Sequence, residues 1–407
     1  MATTKPGIDY SYLVQDDKVH GSVFTSQEIF EDEMERIFKK MWVYVGHTSE
    51  IPEAGDYRVT WIGDESIIMT RDEDNQVHLL ANRCRHRGSA VCQYEAGNAS
   101  YFRCPYHGWT YSNNGDLTGV SFPSGYDSNF RKEEYGLSKI PRMEIYRGFV
   151  FGSLSPTGMS LDDHLGDRVK EMIDLFVDLS PVGEIEVRAG VHKNGYHANW
   201  KFVGMDGYHG NSVHQSITLD FAARKGQRPG THPDRSLNRT RSLGNGHVML
   251  DSRKNRGGKL STRRPADWPE DYVKELERVR GKERAAELMQ AHGNPHLGIW
   301  PNLQLIDVHI RVTRPLGPAE TEVFMYPVLL KGVPPELNAA RLRHHEWFYG
   351  PAGMGSPDDN EIFERNQVGL TANVDPWILL SRGMHREETD TDGTIISNHT
   401  DELTQRH

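Results

Sequence analysis

The chain has 407 residues, room for two or three domains, with 36% hydrophobic and 26% charged residues. A formal net charge of −10 argues against a nucleic-acid partner, and no run of about 18 apolar residues offers a membrane span. The N-terminus, MATTKPGIDYSYLVQDDKVHG, has no basic start followed by an apolar block and does not read as a secretory signal. Three cysteines are an odd, low number that fits metal binding in a reducing compartment, the cytoplasm, better than a disulfide framework.

Residues 1–24 read as an irregular arm. Thr25-x-x-Glu28 is a capping box, and Ile29, Phe30, Met34, Ile37, Phe38 and Met41 recur at helical spacing, so a packing helix is expected from Thr25. From Trp42 to about Ser155, short apolar runs (WVYVG, YRVTWIG, ESIIMT, VHLLANR, GFVFGSL) alternate with turns. Asp72-Glu73-Asp74-Asn75 suggests a hairpin, and the stretch reads as a small all-β domain.

Helical character returns in LDDHLGDRVKEMIDLFVDL. Residues 221–268, rich in Arg, Gly, Pro and Ser, read as long loops. The run Arg253-Lys254-Asn255-Arg256 within them reads as solvated, since exposed charge runs are common. An exposed charged helix is expected over 269–290. Two strands follow, NLQLIDVHIRVTRP and TEVFMYPVLLKG, joined by a Gly-Pro turn, and then a helix from Pro357 to Ala372. The last twenty residues are polar.

The segment RCRHRGSAVCQYEAGNASYFRCPYHG, Arg83 to Gly108, carries Cys84-x-His86 and Cys104-x-x-His107. Thiols and imidazoles in two tight pairs are metal-ligand chemistry. A structural zinc site and an iron–sulfur centre both fit these ligand types. Zinc sites commonly pair thiols with thiols; here each pair supplies one Cys and one His. That suits a cluster in which one iron takes both thiolates and the other both imidazoles. Gly88 and Gly108 allow tight turns, while Pro105 and nearby N–H groups can shape the hydrogen bonds to sulfur.

A second candidate lies in NWKFVGMDGYHGNSVH, residues 199–214. His209 and His214 are five apart, and residues so spaced point away from one another on a regular helix. Both reach one metal only where a helix is distorted or ends. Two histidines and one carboxylate leave positions open on iron for dioxygen chemistry. Asp358 and Asp359 are candidates for the carboxylate, although by pattern alone they are N-terminal helix acids favoured by the macrodipole.

CRHRG followed by CPYHGWTY and NGDLTGV resembles the Rieske motif of the aromatic-ring-hydroxylating oxygenases, large (alpha) subunits. NWK…DGYH…H resembles their mononuclear iron motif, and GPAG…DDNE their carboxylate segment. The resemblance runs from about residue 20 to 385 and includes both motifs in order. It implies an α+β protein: an all-β Rieske [2Fe-2S] domain plus a catalytic domain with an antiparallel β-sheet covered by helices. The expected division is an N-terminal arm and helix of the catalytic domain over 1–41, the Rieske domain over 42–155 and the catalytic domain over 156–407.

It also implies that Cys84 and Cys104 hold one cluster iron and His86 and His107 the other. His209, His214 and Asp359 would hold a mononuclear Fe(II), with Asp206 as the bridging aspartate that meets a Rieske histidine, His107, of a neighbouring subunit. The family's usual Glu-Asn pair before that aspartate is absent: Phe202-Val203-Gly204-Met205 is about three residues shorter, which puts in doubt any analogy to a naphthalene-type pocket at this point.

The implied enzyme is a terminal oxygenase, a dioxygenase giving a cis-dihydrodiol from an aromatic compound. NAD(P)H electrons would arrive through a separate reductase, with or without a ferredoxin, because no nucleotide-binding glycine fingerprint appears here. The implied assembly is an α3 trimer or α3β3. A Rieske monooxygenase that hydroxylates or demethylates its substrate is the nearest alternative; an electron-transfer protein and a zinc scaffold are others. His344-His345-Glu346 is expected to be structural, His192 and His197 to pack or face water, and Cys92 to be a small core residue. The substrate pocket is expected after His214, around Met249–Asp251 and along Ile299–His309.

Overall fold

The structure is a computed structural model and describes residues 7–206, 238–251, 268–291, 296–306, 308–353, 355–372 and 374–407. The chain divides into two compact units, one of residues 1–33, 165–185 and 189–407, the other of residues 34–164 and 186–188.

The N-terminal arm is more ordered than its composition suggests. It includes short helices at Tyr10–Leu13 and Ser22–Thr25, and Lys18–His20 pairs with Trp377–Leu379. The long helix begins one residue later than the capping box implies. Thr25 closes the Ser22–Thr25 turn, its hydroxyl reaching the Gly21 carbonyl, and Ser26 Oγ accepts the Ile29 N–H ahead of α1 (Gln27–Glu33). Beyond Glu33 the helix widens to a π turn over Met34–Phe38, where Lys39 donates to the Met34 carbonyl five residues back.

The smaller unit is built of short antiparallel strands: β1 (Val43–His47), β2 (Asp56–Ile62), β3 (Glu65–Arg71), β4 (Val77–Ala81), β5 (Ala96–Asn98), β6 (Tyr101–Arg103), β7 (Thr110–Ser112), β8 (Leu117–Gly119), β9 (Arg142–Tyr146) and β10 (Phe149–Ser153). They form sheets in the orders β9-β10-β1, β4-β3-β2-β5 and β6-β7-β8. Asp72-Glu73-Asp74-Asn75 turns the chain between β3 and β4: Asp72 Oδ1 takes the N–H groups of Asp74 and Gln76, and Asn75 adopts φ +61°. Tyr57, Ile68, Leu80, Phe102, Trp109, Tyr111 and Leu117 pack in one core with Cys84, Cys92 and Cys104.

After β10 the chain enters α2 (Leu161–Asp178), kinked at Gly166, whose φ of +64° a side chain would strain. The larger unit is organised on a nine-stranded antiparallel sheet among the described residues. Its strands are β11 (His192–Tyr196), β12 (Arg239–Gly244), β13 (His247–Asp251), β14 (His296–Ile299), β15 (Leu303–Ile306), β16 (His309–Gly317), β17 (Glu320–Pro327), β18 (Glu388–Thr389) and β19 (Ile395–Asn398). The order is β11-β17-β16-β15-β14-β13-β12-β19-β18. Its helices include α3 (Lys201–Asp206), α4 (Glu270–Arg280), α5 (Lys282–Ala291), α6 (Pro335–Tyr349) and α7 (Ser356–Gly369).

Three expectations change here. The stretch taken as one strand, NLQLIDVHIRVTRP, folds back on itself, pairing Ile306 with His309, because two apolar runs around a short polar break read as one. The region expected as loop contains the hairpin β12–β13; its turn at Gly244-Asn245-Gly246 has positive φ throughout, while Arg253–Arg256 lie outside the described residues. The charged helix over 269–290 is two helices broken at Gly281, φ +80°, and it is not simply exposed: Tyr272, Leu276, Ala285 and Leu288 are buried.

Candidate functional site

The two Cys/His loops share one design. Cys84 N–H donates to the Ser89 carbonyl and Gly88 N–H to the Cys84 carbonyl, at 2.8 and 2.9 Å; Cys104 N–H donates to Trp109 and Gly108 N–H back to Cys104, at 2.8 and 3.0 Å. Gly88 and Gly108 have φ +77° and +68°, so each loop turns at a residue without a Cβ. An arginine precedes each cysteine, and its guanidinium lies under the loop's glycine: Arg83 Nε is 3.3 Å from where a Gly88 Cβ would stand, Arg103 Nη2 3.3 Å from the Gly108 equivalent. The second loop joins β6 to β7, and Asn82 fixes the chain behind the first by taking the N–H groups of Val91 and Cys92.

This design buries the thiols and leaves the imidazoles at the rim. Cys84 and Cys104 are each 3% exposed, whereas His86 and His107 are half-buried. The two rings lie 4.7 Å apart, and His86 stacks on Trp109 at 5.1 Å. His86 Nδ1 is buried without a hydrogen-bond partner, an orphaned donor atom of the type a metal satisfies. Burial, then the charges of His86 and Arg87, hold His107 below its usual pKa and favour the neutral ligating form.

Tyr111 Oη sits 3.2 Å from Cys84 Sγ and accepts the Arg85 N–H at 3.1 Å. Cys92 shares the core, and burial pushes its thiol up to about 12, so it stays protonated. Among the described residues no three His, Cys, Asp or Glu groups converge on a single ion. A two-iron cluster asks only for two protein ligands on each iron, and paired loops supply that.

In the larger unit, Asn199-Trp200-Lys201 fastens the start of α3. Asn199 Oδ1 accepts the Lys201 N–H, and its Nδ2 donates to the Phe24 and Pro318 carbonyls. Trp200 Nε1 and Lys201 Nζ both donate to the Glu33 carboxylate, at 2.8 and 2.5 Å. Toward the other end, Gln304 Nε2 donates to the Val203 carbonyl and Gln405 Nε2 to the Met205 carbonyl. The described part of the helix ends at Asp206. His209 and His214 lie outside the described residues.

Asp359 stands in the first turn of α7, half-buried, its N–H on the Gly355 carbonyl. One turn further, Phe363 joins Phe202, Tyr196, Tyr349 and Met325 in an apolar core. Cavities of about 410 Å³ flank α3 on both sides. One is lined by Trp200, Gly204, Ile299, Trp300 and Leu303, the other by Phe202, Met205, Phe363 and Asn366. Of the residues expected around the substrate, Ile299 and Leu303 line the first cavity, Met249 lines a separate smaller one, and Asp251 is engaged by Arg241.

One group was not legible in the motifs. His309, Arg311 and His345 are buried together, and His192 lies 4.7 Å from His345. The strand alternation in HIRVT, with polar residues on its buried face, was the available signal.

Residues 41–128 match the Rieske [2Fe-2S] domain and residues 176–392 the catalytic domain of ring-hydroxylating alpha subunits. The chain is 35% identical to a 2-halobenzoate 1,2-dioxygenase large subunit of Burkholderia cepacia, over 92% of this chain and 83% of that one. It is 34% identical to an anthranilate 1,2-dioxygenase large subunit of Acinetobacter baylyi, over 91% and 81%. It belongs to the Rieske ring-hydroxylating oxygenases, as a large subunit. A solved naphthalene 1,2-dioxygenase from Rhodococcus sp., with indole bound, superposes with a TM-score of 0.81 at 30% identity, covering 96% of this chain and 92% of that one. The family carries a Rieske cluster and a mononuclear iron, and its terminal oxygenases draw electrons from a separate reductase or ferredoxin. The α+β reading and the cofactor reading hold. No helix among the described residues is long and apolar enough to cross a membrane.

Proposed function

We propose that this oxygenase converts an aromatic carboxylic acid to a cis-dihydrodiol. What carries the reading is the match of both family domains, in order, in a chain about one-third identical to halobenzoate and anthranilate dioxygenases. The Rieske domain is assigned to 42–155, and residues 1–41 go with the catalytic domain. Cys84, His86, Cys104 and His107 are taken as cluster ligands, and His209, His214 and Asp359 as ligands of the mononuclear iron. The working form is taken as a trimer, with or without a small subunit, and its compartment as the cytoplasm.

When bound, the two metal groups supply electron storage and dioxygen activation. The chain's own residues do the rest. Buried Cys84 and Cys104 keep the charged end of the cluster site away from water, and the Tyr111 hydroxyl, 3.2 Å from the Cys84 sulfur, would donate to it once the thiolate is iron-bound. The rim imidazoles of His86 and His107 would hold the iron that faces the surface of the unit. In a ring of subunits Asp206 would accept a hydrogen bond from the partner subunit's His107 and orient His209, one turn on in the sequence. Phe202 and Phe363, which line the cavity beside α3, give it an apolar surface that suits an arene.

The test is reconstitution with NADH, a reductase of this family and ¹⁸O₂, against benzoate, anthranilate and 2-halobenzoate beside naphthalene and biphenyl. Two labelled oxygens in a diol of an aromatic acid are expected. One labelled oxygen, or conversion of neutral arenes alone, would overturn the reading.

A further inference from the structure

Arg311 is 6% exposed, and a guanidinium cannot shed its charge. A buried charge without a counter-charge is costly. Yet among the described residues Arg311 makes no ion pair; its hydrogen-bond contact is Ser356 Oγ at 3.5 Å, and its Nε is buried without a partner. Ser356, His309 and His345 beside it carry no negative charge, and the Glu346 carboxylate at the edge of the group is engaged by His192 at 2.9 Å. His309 and His345, both fully buried, have neither ring nitrogen partnered. Burial, then neighbouring histidines and Arg311, hold both well below the usual imidazole value, His345 at about 3, so both are neutral. Neutral imidazoles still offer N–H donors. The group is thus one fixed cation and several unused donors beside an apolar core, with the Tyr349 ring centroid 6.0 Å from the guanidinium.

Its position ties it to the reaction centre. On β15 and β16, Gln304 and Arg311 are directly opposed and share one face of the sheet. Gln304 holds the Val203 carbonyl of α3, the helix that carries Asp206. On the other side Arg311 faces Met325, and both touch Ser356, the first residue of α7. Asp359 follows Ser356 by three residues, so the two are neighbours on one helix face. Arg311 therefore lies between the two helices assigned to the iron site.

The geometry points to Arg311 as the residue that reads the carboxylate of an aromatic acid substrate, with His309 and His345 as supporting donors. It rests on the aromatic-acid reading above and adds the group that enforces it. A guanidinium fork matches a carboxylate in two parallel hydrogen bonds and fixes the ring attached to it.

The experiment is calorimetric titration of the metal-loaded oxygenase with benzoate and with benzamide, its uncharged counterpart. Wild type is expected to prefer benzoate. Arg311→Gln is expected to weaken benzoate binding by about 10- to 100-fold and erase the preference, the loss typical of charge-assisted hydrogen bonds. Arg311→Lys, which keeps charge and loses the fork, should fall between. Should Arg311→Gln not fold, a crystal structure of wild type with benzoate decides: a carboxylate on Arg311 supports the assignment, and one bound elsewhere overturns it. If wild type converts aromatic acids and Arg311→Gln binds benzoate as tightly, this inference fails alone. If wild type takes only neutral arenes, the aromatic-acid reading fails with it.

Discussion

The Tyr111 hydroxyl lies 3.2 Å from Cys84 Sγ while accepting the Arg85 N–H at 3.1 Å. A thiolate bound to iron has no proton to give, so with the cluster in place the hydroxyl donates to sulfur, and that bond strengthens as negative charge builds there. Tyr111→Phe should leave the cluster in place and lower its reduction potential by roughly tens of millivolts, the equivalent of one hydrogen bond. Protein-film voltammetry of both forms checks this. An unchanged potential with an intact Rieske spectrum would mean the bond does not tune the cluster.

Asp72 gives the smaller unit a pH signature. Burial works against its charged form, but His78 at 2.6 Å and the N–H groups of Gln76 and Asp74 prevail and hold its carboxyl below the usual 3.8. A depressed carboxyl stabilises the fold above its unfolded value and loses that contribution as pH falls through the folded value. Stability should therefore drop as pH falls below about 4, and Asp72→Asn should flatten that part of the curve. Urea denaturation between pH 6 and 2 measures it; identical slopes in both proteins would rule Asp72 out as the source.

Glu33 joins α1 to the start of α3, taking Trp200 Nε1 and Lys201 Nζ on its two oxygens. Lys201 lies over the Phe24 and Trp200 rings, and burial drives its pKa down while Glu33 opposes that. Glu33→Ala strands a buried ammonium and should cost about 3–5 kcal/mol. Adding Lys201→Met removes the stranded charge and should restore part of the loss. Thermal unfolding of the single and double variants provides the comparison, and equal losses in both would show that charge is not the issue.

These relationships differ in how far the sequence discloses them. Cys84, His86, Cys104 and His107 stand in two short loops, so local spacing alone singled them out as a candidate metal cluster. The all-β texture of 42–155 was equally visible, because strand alternation and turn residues are local signals. The reversal between Ile306 and His309 was not, since no glycine or proline marks it. Nor was the group around Arg311. His192, Arg311 and the pair His345 and Ser356 come from three distant segments, and only sheet register and helix packing bring them together. His344 and His345, expected on different sides of their helix, are both buried, because α6 is enclosed around much of its girth.

The proposed division of labour between Asp206 and His209 separates two outcomes that activity alone would merge. His209→Ala should release the mononuclear iron and keep the Rieske absorbance, because the cluster ligands sit in the other compact unit. Metal analysis should then fall from three irons to two per chain, against two sulfides. Asp206→Asn should keep all three irons and both spectra while turnover falls by about 100-fold, since an amide still orients a neighbouring imidazole poorly and carries no charge. Single-turnover measurements on the pre-reduced enzyme refine this: cluster oxidation should slow in Asp206→Asn when substrate and oxygen are mixed in. Normal cluster oxidation in that variant would sink the bridging role, and loss of both metals in His209→Ala would recast His209 as a structural residue.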